Sequence, residues 1–197
     1  KPLAESKAEF IARHANKRRR TMVIYARPEA HAARNEFAII MLSLRQLIED
    51  GELDRDQWRI LGVGSLHYCE TYEIAPGFSI DVRPKMPIDD YENLLKESDV
   101  GISLISTPHP GIIHFQMASF GLPTVTNTTT IRTAESLRAL SANIVPSALS
   151  FAEMPGRIRQ AMHHSADFEA RYANALALRT VDYDQEIARV AAFLANP

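Results

Sequence analysis

The chain has 197 residues, 46% of them apolar, which suffices for one full core and is slightly small for two. A formal net charge of −2 gives no bulk attraction to nucleic acid or to an anionic membrane, so any charge-based recognition must come from local clusters, and a small partner is expected. The single cysteine, Cys69, excludes an internal disulfide, and no Cys/His set has zinc-ligand spacing, so a lone buried thiol in a reducing compartment is expected.

No apolar run has membrane-spanning length, and Lys1 to Phe10 lacks the basic-then-apolar layout of a signal peptide. A cytoplasmic chain is expected, with any membrane association through parts outside it. The Lys-Pro start reads as a piece of a longer protein.

Residues 1–20 are charged with scattered apolar positions and close on KRRR at 17–20, which reads as a linker or helical lead-in. TMVIYA at 21–26 is a buried β-branched strand. Asn35 is an expected N-cap for a stripe of Phe37, Ile40, Met41, Leu44, Leu47 and Ile48 that stops at Gly51. WRILGVG at 58–64 is the next strand, and FSIDVRP at 78–84 follows an aromatic-rich connection. Asp89, with Glu92 three positions on, predicts a capping box, and Tyr91, Leu94 and Leu95 supply that helix's buried face. VGISLIS at 100–106, LPTVT at 122–126 and ANIVP at 142–146 complete six strands, with a short apolar helix before LPTVT. Helical patterns follow at 154–164, 166–178 and 183–194.

Strands alternating with helices predict a Rossmann-like, three-layer α/β/α domain with a six-stranded parallel sheet over 21–165, because each crossover needs a helix to return the chain. The helices of 166–197 would pack on it or cross to a missing half.

In open parallel sheets ligands bind outside the carboxyl ends of the strands. Arg27-Pro28 follows the first strand, with Arg34 further along, and Arg83-Pro84-Lys85-Met86 follows the third. Basic groups converging on one pocket suit phosphate oxygens, although a single Arg or Lys is more often a surface ion pair. Gly62-Val63-Gly64 lacks the third glycine of a dinucleotide fingerprint, which disfavours NAD, and no GxxxxGK[ST] is present for ATP. Neither His109/His114 nor His163/His164 has the i, i+4 spacing of a helical metal site, so no metal is expected. Asp182-Tyr183-Asp184 precedes a helical pattern and reads as an N-cap signal, and no Gly-x-Ser-x-Gly elbow is present.

The strand–helix order, the Arg-Pro after the first strand and HFQMASFGLPTVTN together resemble the C-terminal, donor-binding half of GT-B glycosyltransferases of the family 4-like group. That group's signature has Glu, seven residues, Glu, then Ala-Met-Ala-x-Gly-x-Pro-Val-Val. Here Met117, Ala118, Gly121, Leu122, Pro123 and Val125 fall in register, Gln116 stands at the second acidic position and Pro108 at the first. ARP, DDYENLLKESDVGISL and SxPHP look most like the bacterial rhamnosyltransferases of surface-polysaccharide and S-layer glycan assembly, over about residues 21–162.

The resemblance implies a nucleobase at Arg83, Lys85 and Met86, a ribose at Gln116, and a diphosphate facing Arg27, Arg34 and the amides of Gly111, Ile112 and Ile113. Thr107 and His109 would line the sugar end. It further implies metal-independent hexosyl transfer, with no cofactor, from a nucleotide-sugar such as dTDP-rhamnose to a saccharide acceptor held by a missing N-terminal domain. That missing domain would also carry the catalytic base. An uncharged Gln116 suits a deoxyribose, which offers fewer hydroxyls. The alternative is a non-catalytic GT-B-like interaction domain in a glycan-assembly protein, for which the two absent glutamates speak.

Overall fold

The computed structural model describes residues 5–66, 69–107, 109, 111–177, 187–188 and 191. Its strands are β1 (Arg20–Tyr25), β2 (Trp58–Ser65), β3 (Glu70–Ala75), β4 (Phe78–Pro84), β5 (Val100–Ile102), β6 (Thr124–Asn127) and β7 (Ile144–Ser147). They form one sheet in the order β3-β4-β2-β1-β5-β6-β7. The six expected strands are the six parallel ones.

The seventh is a correction. ETYEIA, inside the aromatic-rich connection, pairs antiparallel with β4 through a turn at Pro76-Gly77. This hairpin, rather than a helix, returns the chain so that β4 runs parallel to β2, which hid β3 from an argument built on helical crossovers. As an edge strand β3 points Glu70, Thr71 and Glu73 into solvent, where charge discourages further pairing.

Successive strand residues face opposite layers. Met22, Ile24, Ile60, Ile80 and Ile102 pack beneath α2 (Phe37–Glu49) and α6 (Met154–His164), through Ile40, Leu44, Leu47, Ile158 and Ala161. Val23 and Val63 face α3 (Ile88–Lys96) and α4 (Ile113–Ser119), through Leu95 and Met117. α5 (Ala134–Leu140) lies against β7 and was not expected in the threonine-rich stretch. Its start is made by Thr133, whose hydroxyl accepts from Ser136 N–H at 3.2 Å.

α1 (Lys7–Ala15) packs on α7 (Phe168–Ala173), which is shorter than the 166–178 pattern. Ser6 and Glu9 give α1 a reciprocal capping box, and Phe10 and His14 are buried. KRRR is anchored at several points although Arg18 and Arg19 are exposed. Lys17 donates to Glu97 O at 2.6 Å, Arg19 donates to Trp58 O at 3.1 Å, and Arg20 opens β1. Asp99, just before β5, gathers His14 (2.7 Å), Lys17 and Arg171 (3.4 Å each) and the Thr21 amide (2.9 Å), fixing α1 and α7 to the lower end of the sheet.

Two caps differ from expectation. Asn35 ends a short 3-10 stretch, Ala30–Asn35, where its Nδ2 donates to Ala32 O at 3.0 Å, and α2 starts only after Glu36, whose φ is 51°. α3 begins behind Pro87, which leaves Asp89 and Asp90 inside the first turn, where they complement the helix dipole without capping it. Cys69 is exposed rather than buried, because it lies just before edge strand β3. Of the helix expected at 183–194 only 187–188 and 191 are described, all helical, while Asp182, Asp184 and Pro108 lie outside the described residues.

Candidate functional site

From β1 the chain moves through α2 to β2 on one side. From β4 it returns through α3 to β5 on the other. The carboxyl ends of β1 and β5 are therefore where successive connections diverge, the place where open α/β sheets leave a crevice. A cavity of ≈ 340 Å³ lies beside this crevice, over the ends of β1 and β2 and the loop after β4 and against α3 and α4, lined by Tyr25, Val63, Gly64, Lys85, Met86, Ile88, Tyr91, Ile113 and Gln116.

Gly64 makes room for it. Its φ is +116°, and a Cβ there would stand 2.7 Å from Cε2 of Tyr25, so the tyrosine ring rests on bare backbone. The β2–β4 register slips between Val63 and Ser65, a bulge that lets Ser65 O accept from Lys85 N–H at 3.0 Å and brings the Lys85–Met86 loop over the cavity. Tyr91 contributes a ring, and its buried hydroxyl finds no partner among the described residues. Burial, with the neighbouring Tyr25, pushes that hydroxyl's pKa up.

Lys85, Met86, Ile113 and Gln116 of the expected residues thus meet in one cavity. Arg27 adjoins it with its charge engaged. Its Nε donates to Glu29 at 3.1 Å, its Nη2 stands 3.4 Å from His31 Nε2, and Glu29 also accepts from Leu66 N–H. Burial works against the Arg27 charge, but hydrogen bonds with Tyr25 and Glu29 outweigh it and raise the pKa. Burial likewise works against the Glu29 carboxylate, yet the Leu66 amide and Arg27 hold its pKa below the usual range.

Arg34 and Arg83 are exposed and do not line the cavity. Arg34 contributes through its backbone instead, since its carbonyl accepts from Ser106 N–H at 2.8 Å and Ser106 Oγ at 3.3 Å. Thr107 is half-buried and His109 exposed on the β5–α4 loop. The Gly111 amide donates to His109 Nδ1 at 3.0 Å, so it is already engaged, and Ile112 is an exposed cap of the seven-residue α4.

That loop is braced from β6. Asn127 accepts from Ile105 N–H at 2.8 Å and donates back to Ile105 O at 2.9 Å, while Arg132 donates from Nε and Nη2 to Asn127 O at 3.1 and 2.9 Å. His114 is buried beside Gly111. Burial, and next the Arg132 charge, lower its pKa to about 3, which keeps the ring neutral.

The sequence reading missed Tyr25, Gly64, Tyr91, Glu29, Asn127 and Arg132. A glycine ending a strand opposite an aromatic was the available signal for the first two. Tyr91 was read only as a helix's buried face, and the Asn127 brace depends on a contact 22 residues away in sequence.

The family profile described as "WsaF, C-terminal domain" matches residues 20–159. The chain belongs to that family. Its fold is similar to that of part of WaaG, a glycosyltransferase involved in lipopolysaccharide biosynthesis, with TM-score 0.58, 14% identity, and coverage of 88% of this chain and 46% of that one. A UDP-forming α,α-trehalose-phosphate synthase from Burkholderia xenovorans matches with TM-score 0.62 and 11% identity over 88% and 45% of the two chains. Sucrose-phosphate synthase from Thermosynechococcus elongatus matches with TM-score 0.55 and 10% identity over 86% and 45%. The chain therefore spans under half the length of these three structures. No curated protein sequence matches. The chain accordingly has the Rossmann-like architecture of one half of a GT-B fold, as the resemblance implied. Among the described residues no helix is long and apolar enough to cross a membrane.

Proposed function

We propose that this chain is the nucleotide-sugar-binding half of a metal-independent glycosyltransferase, acting on a donor of the dTDP-deoxyhexose class such as dTDP-rhamnose, with the acceptor held by a further domain. The observation that carries the reading is the cavity beside the switch point, which joins an aromatic and apolar wall of Tyr25, Met86 and Tyr91 to Lys85 and Gln116. A planar base suits the wall, and a sugar hydroxyl suits the Gln116 amide, which both donates and accepts. Lys85, with Arg27 at the rim, would supply positive charge to the departing diphosphate. An amide in place of a carboxylate makes a weaker partner for a ribose diol, which favours a deoxyribonucleotide.

Isothermal titration with dTDP, UDP and GDP tests this directly. Heat with dTDP, weakened about tenfold by Lys85→Ala or Gln116→Ala, is expected. Absence of heat with all three nucleotides would sink the reading. It would favour instead the non-catalytic interaction domain, for which the pairing of Arg27 with Glu29 and the engaged Gly111 amide speak.

A further inference from the structure

Arg27 and the Leu66 amide are anion-binding groups just beyond the carboxyl ends of β1 and β2, and one carboxylate holds both. Glu29 Oε2 accepts from Arg27 Nε at 3.1 Å, and Glu29 Oε1 accepts from the Leu66 amide. Two oxygens of one anion, each on a separate donor, one a guanidinium and the other a backbone N–H beyond the end of strand pairing, is the arrangement a phosphate takes at such a loop. The site is also connected to the cavity. Arg27 lies two residues beyond Tyr25, which forms part of the cavity wall, and Leu66 lies two residues beyond Gly64, which forms another part of it. The Glu29 side chain is 19% exposed and that of Arg27 is 10%, so the carboxylate sits at the rim and can leave by rotating its own bonds.

We propose that Glu29 is an internal competitor for the diphosphate of the nucleotide ligand. In the free protein its carboxylate fills the Arg27–Leu66 anion site. An incoming diphosphate takes over both donors and sends the glutamate into solvent. This rests on the reading of the crevice as a nucleoside-diphosphate site and adds how that site is regulated. Glu29 lowers affinity for every anion at these donors alike, so stray phosphate is excluded while a nucleotide, held by its base as well, retains enough affinity to displace the carboxylate. No bond is made or broken in the exchange.

Titration of the chain with dTDP, and separately with inorganic pyrophosphate, tests it in the wild type, Glu29→Gln, Arg27→Ala and the double variant. Glu29→Gln keeps the side-chain shape and an oxygen for the Leu66 amide but removes the charge. It is expected to bind both ligands about tenfold tighter, a gain of about 1.4 kcal/mol, and to lose that gain when Arg27→Ala is added. In the wild type the Leu66 amide resonance is expected to shift with dTDP and to stay in place with thymidine, which lacks the phosphates. A merely structural glutamate would move neither the Arg27-dependent gain nor this ligand-specific shift. Should Glu29→Gln fail to fold, Glu29→Asp, one methylene too short to bridge both donors, must show tighter binding in the same direction. If the wild type binds dTDP and neither Glu29 variant binds more tightly, the competitor role is overturned while the donor site stands. If no variant and no wild type binds either ligand, both readings fall together.

Discussion

Gly64 shows how much of this site depends on the absence of a side chain. With φ at +116° the backbone occupies a region that L residues rarely adopt, and the missing Cβ leaves the space that the Tyr25 ring uses. An alanine there meets both costs at once. The strained φ disfavours the fold by about 1–3 kcal/mol, and the methyl drives the ring away from β2 into the cavity. Gly64→Ala is therefore expected to lower the urea midpoint and to weaken dTDP binding by about tenfold or more. Adding Tyr25→Ala to Gly64→Ala removes the clash but not the strained φ, so the urea midpoint is expected to recover only in part. Full recovery would mean that the dihedral carries no strain. Gln116 offers the converse case, in which a side chain rather than its absence sets the chemistry. Gln116→Glu restores the carboxylate of the common signature, and tighter binding of UDP relative to dTDP is expected, measured by titration of both, because only the ribonucleotide has the second hydroxyl to receive it.

At the level of elements, α1 and α7 are held to the sheet by charge as much as by apolar contact. Arg171 is fully buried, donating to Gly121 O at 2.9 Å, Ser165 O at 3.1 Å and Ser98 O at 3.2 Å besides its 3.4 Å pairing with Asp99. Removing Asp99 strands this guanidinium and the Lys17 ammonium, so Asp99→Ala is expected to cost about 3–5 kcal/mol, read from the urea midpoint. A loss below about 1 kcal/mol would mean that water reaches the cluster. This network also shows where sequence reasoning reaches its limit. The β-branched and apolar runs of β1, β2, β5, β6 and β7 announced themselves, because burial on both faces demands continuous apolar character, and β4 did so by alternation, with Ser79, Asp81 and Arg83 exposed. β3 did not: ETYEIA alternates only partly and ends in a hairpin that replaces a helix. α1 was legible only as a charged lead-in, since its stabilising partners, Asp99 and Arg171, lie 85 and 157 residues from His14 in sequence. Of the residues that line the cavity, Lys85 and Met86 were picked out because strand ends predict where ligands sit, and Ile113 and Gln116 by the glycosyltransferase resemblance. The same rule also picked Arg34 and Arg83, which lie outside the cavity, because it gives the end of an element but not the direction in which a side chain points. Glu29 could not be foreseen as Arg27's partner, because that pairing depends on a local turn after Pro28.

For the whole molecule the strongest dependence is on proton concentration, because neutral histidines are buried at both ends of the sheet. His14 lies at the lower end, where burial first, then the Arg171 and Lys17 charges, outweigh the pull of Asp99 and lower its pKa from 6.5 to about 4. His114 lies under the loop at the site end, lowered to about 3. Burial also lowers the pKa of half-buried His164. In each case the unfolded chain binds the proton more readily than the folded one. Their stabilisation is therefore complete above pH 6.5 and is lost as pH falls from 6.5 toward 4 for His14 and toward 3 for His114. Each contributes a slope of up to about 1.4 kcal/mol per pH unit, or about 2.7 for the pair. Asp99, whose burial is outweighed by His14 and Lys17 so that its pKa falls to about 2, adds its loss only below pH 3.8. Urea midpoints measured between pH 7.5 and 4.5 are thus expected to hold steady to about pH 6.5 and then fall steeply. His114→Leu should roughly halve that slope, while a flat profile in the wild type would show that the rings protonate in place. Because protonation acts on both ends of one continuous sheet, the loss should be a single transition. Fluorescence of Trp58, at the start of β2, and far-UV circular dichroism are expected to report the same midpoint at every pH.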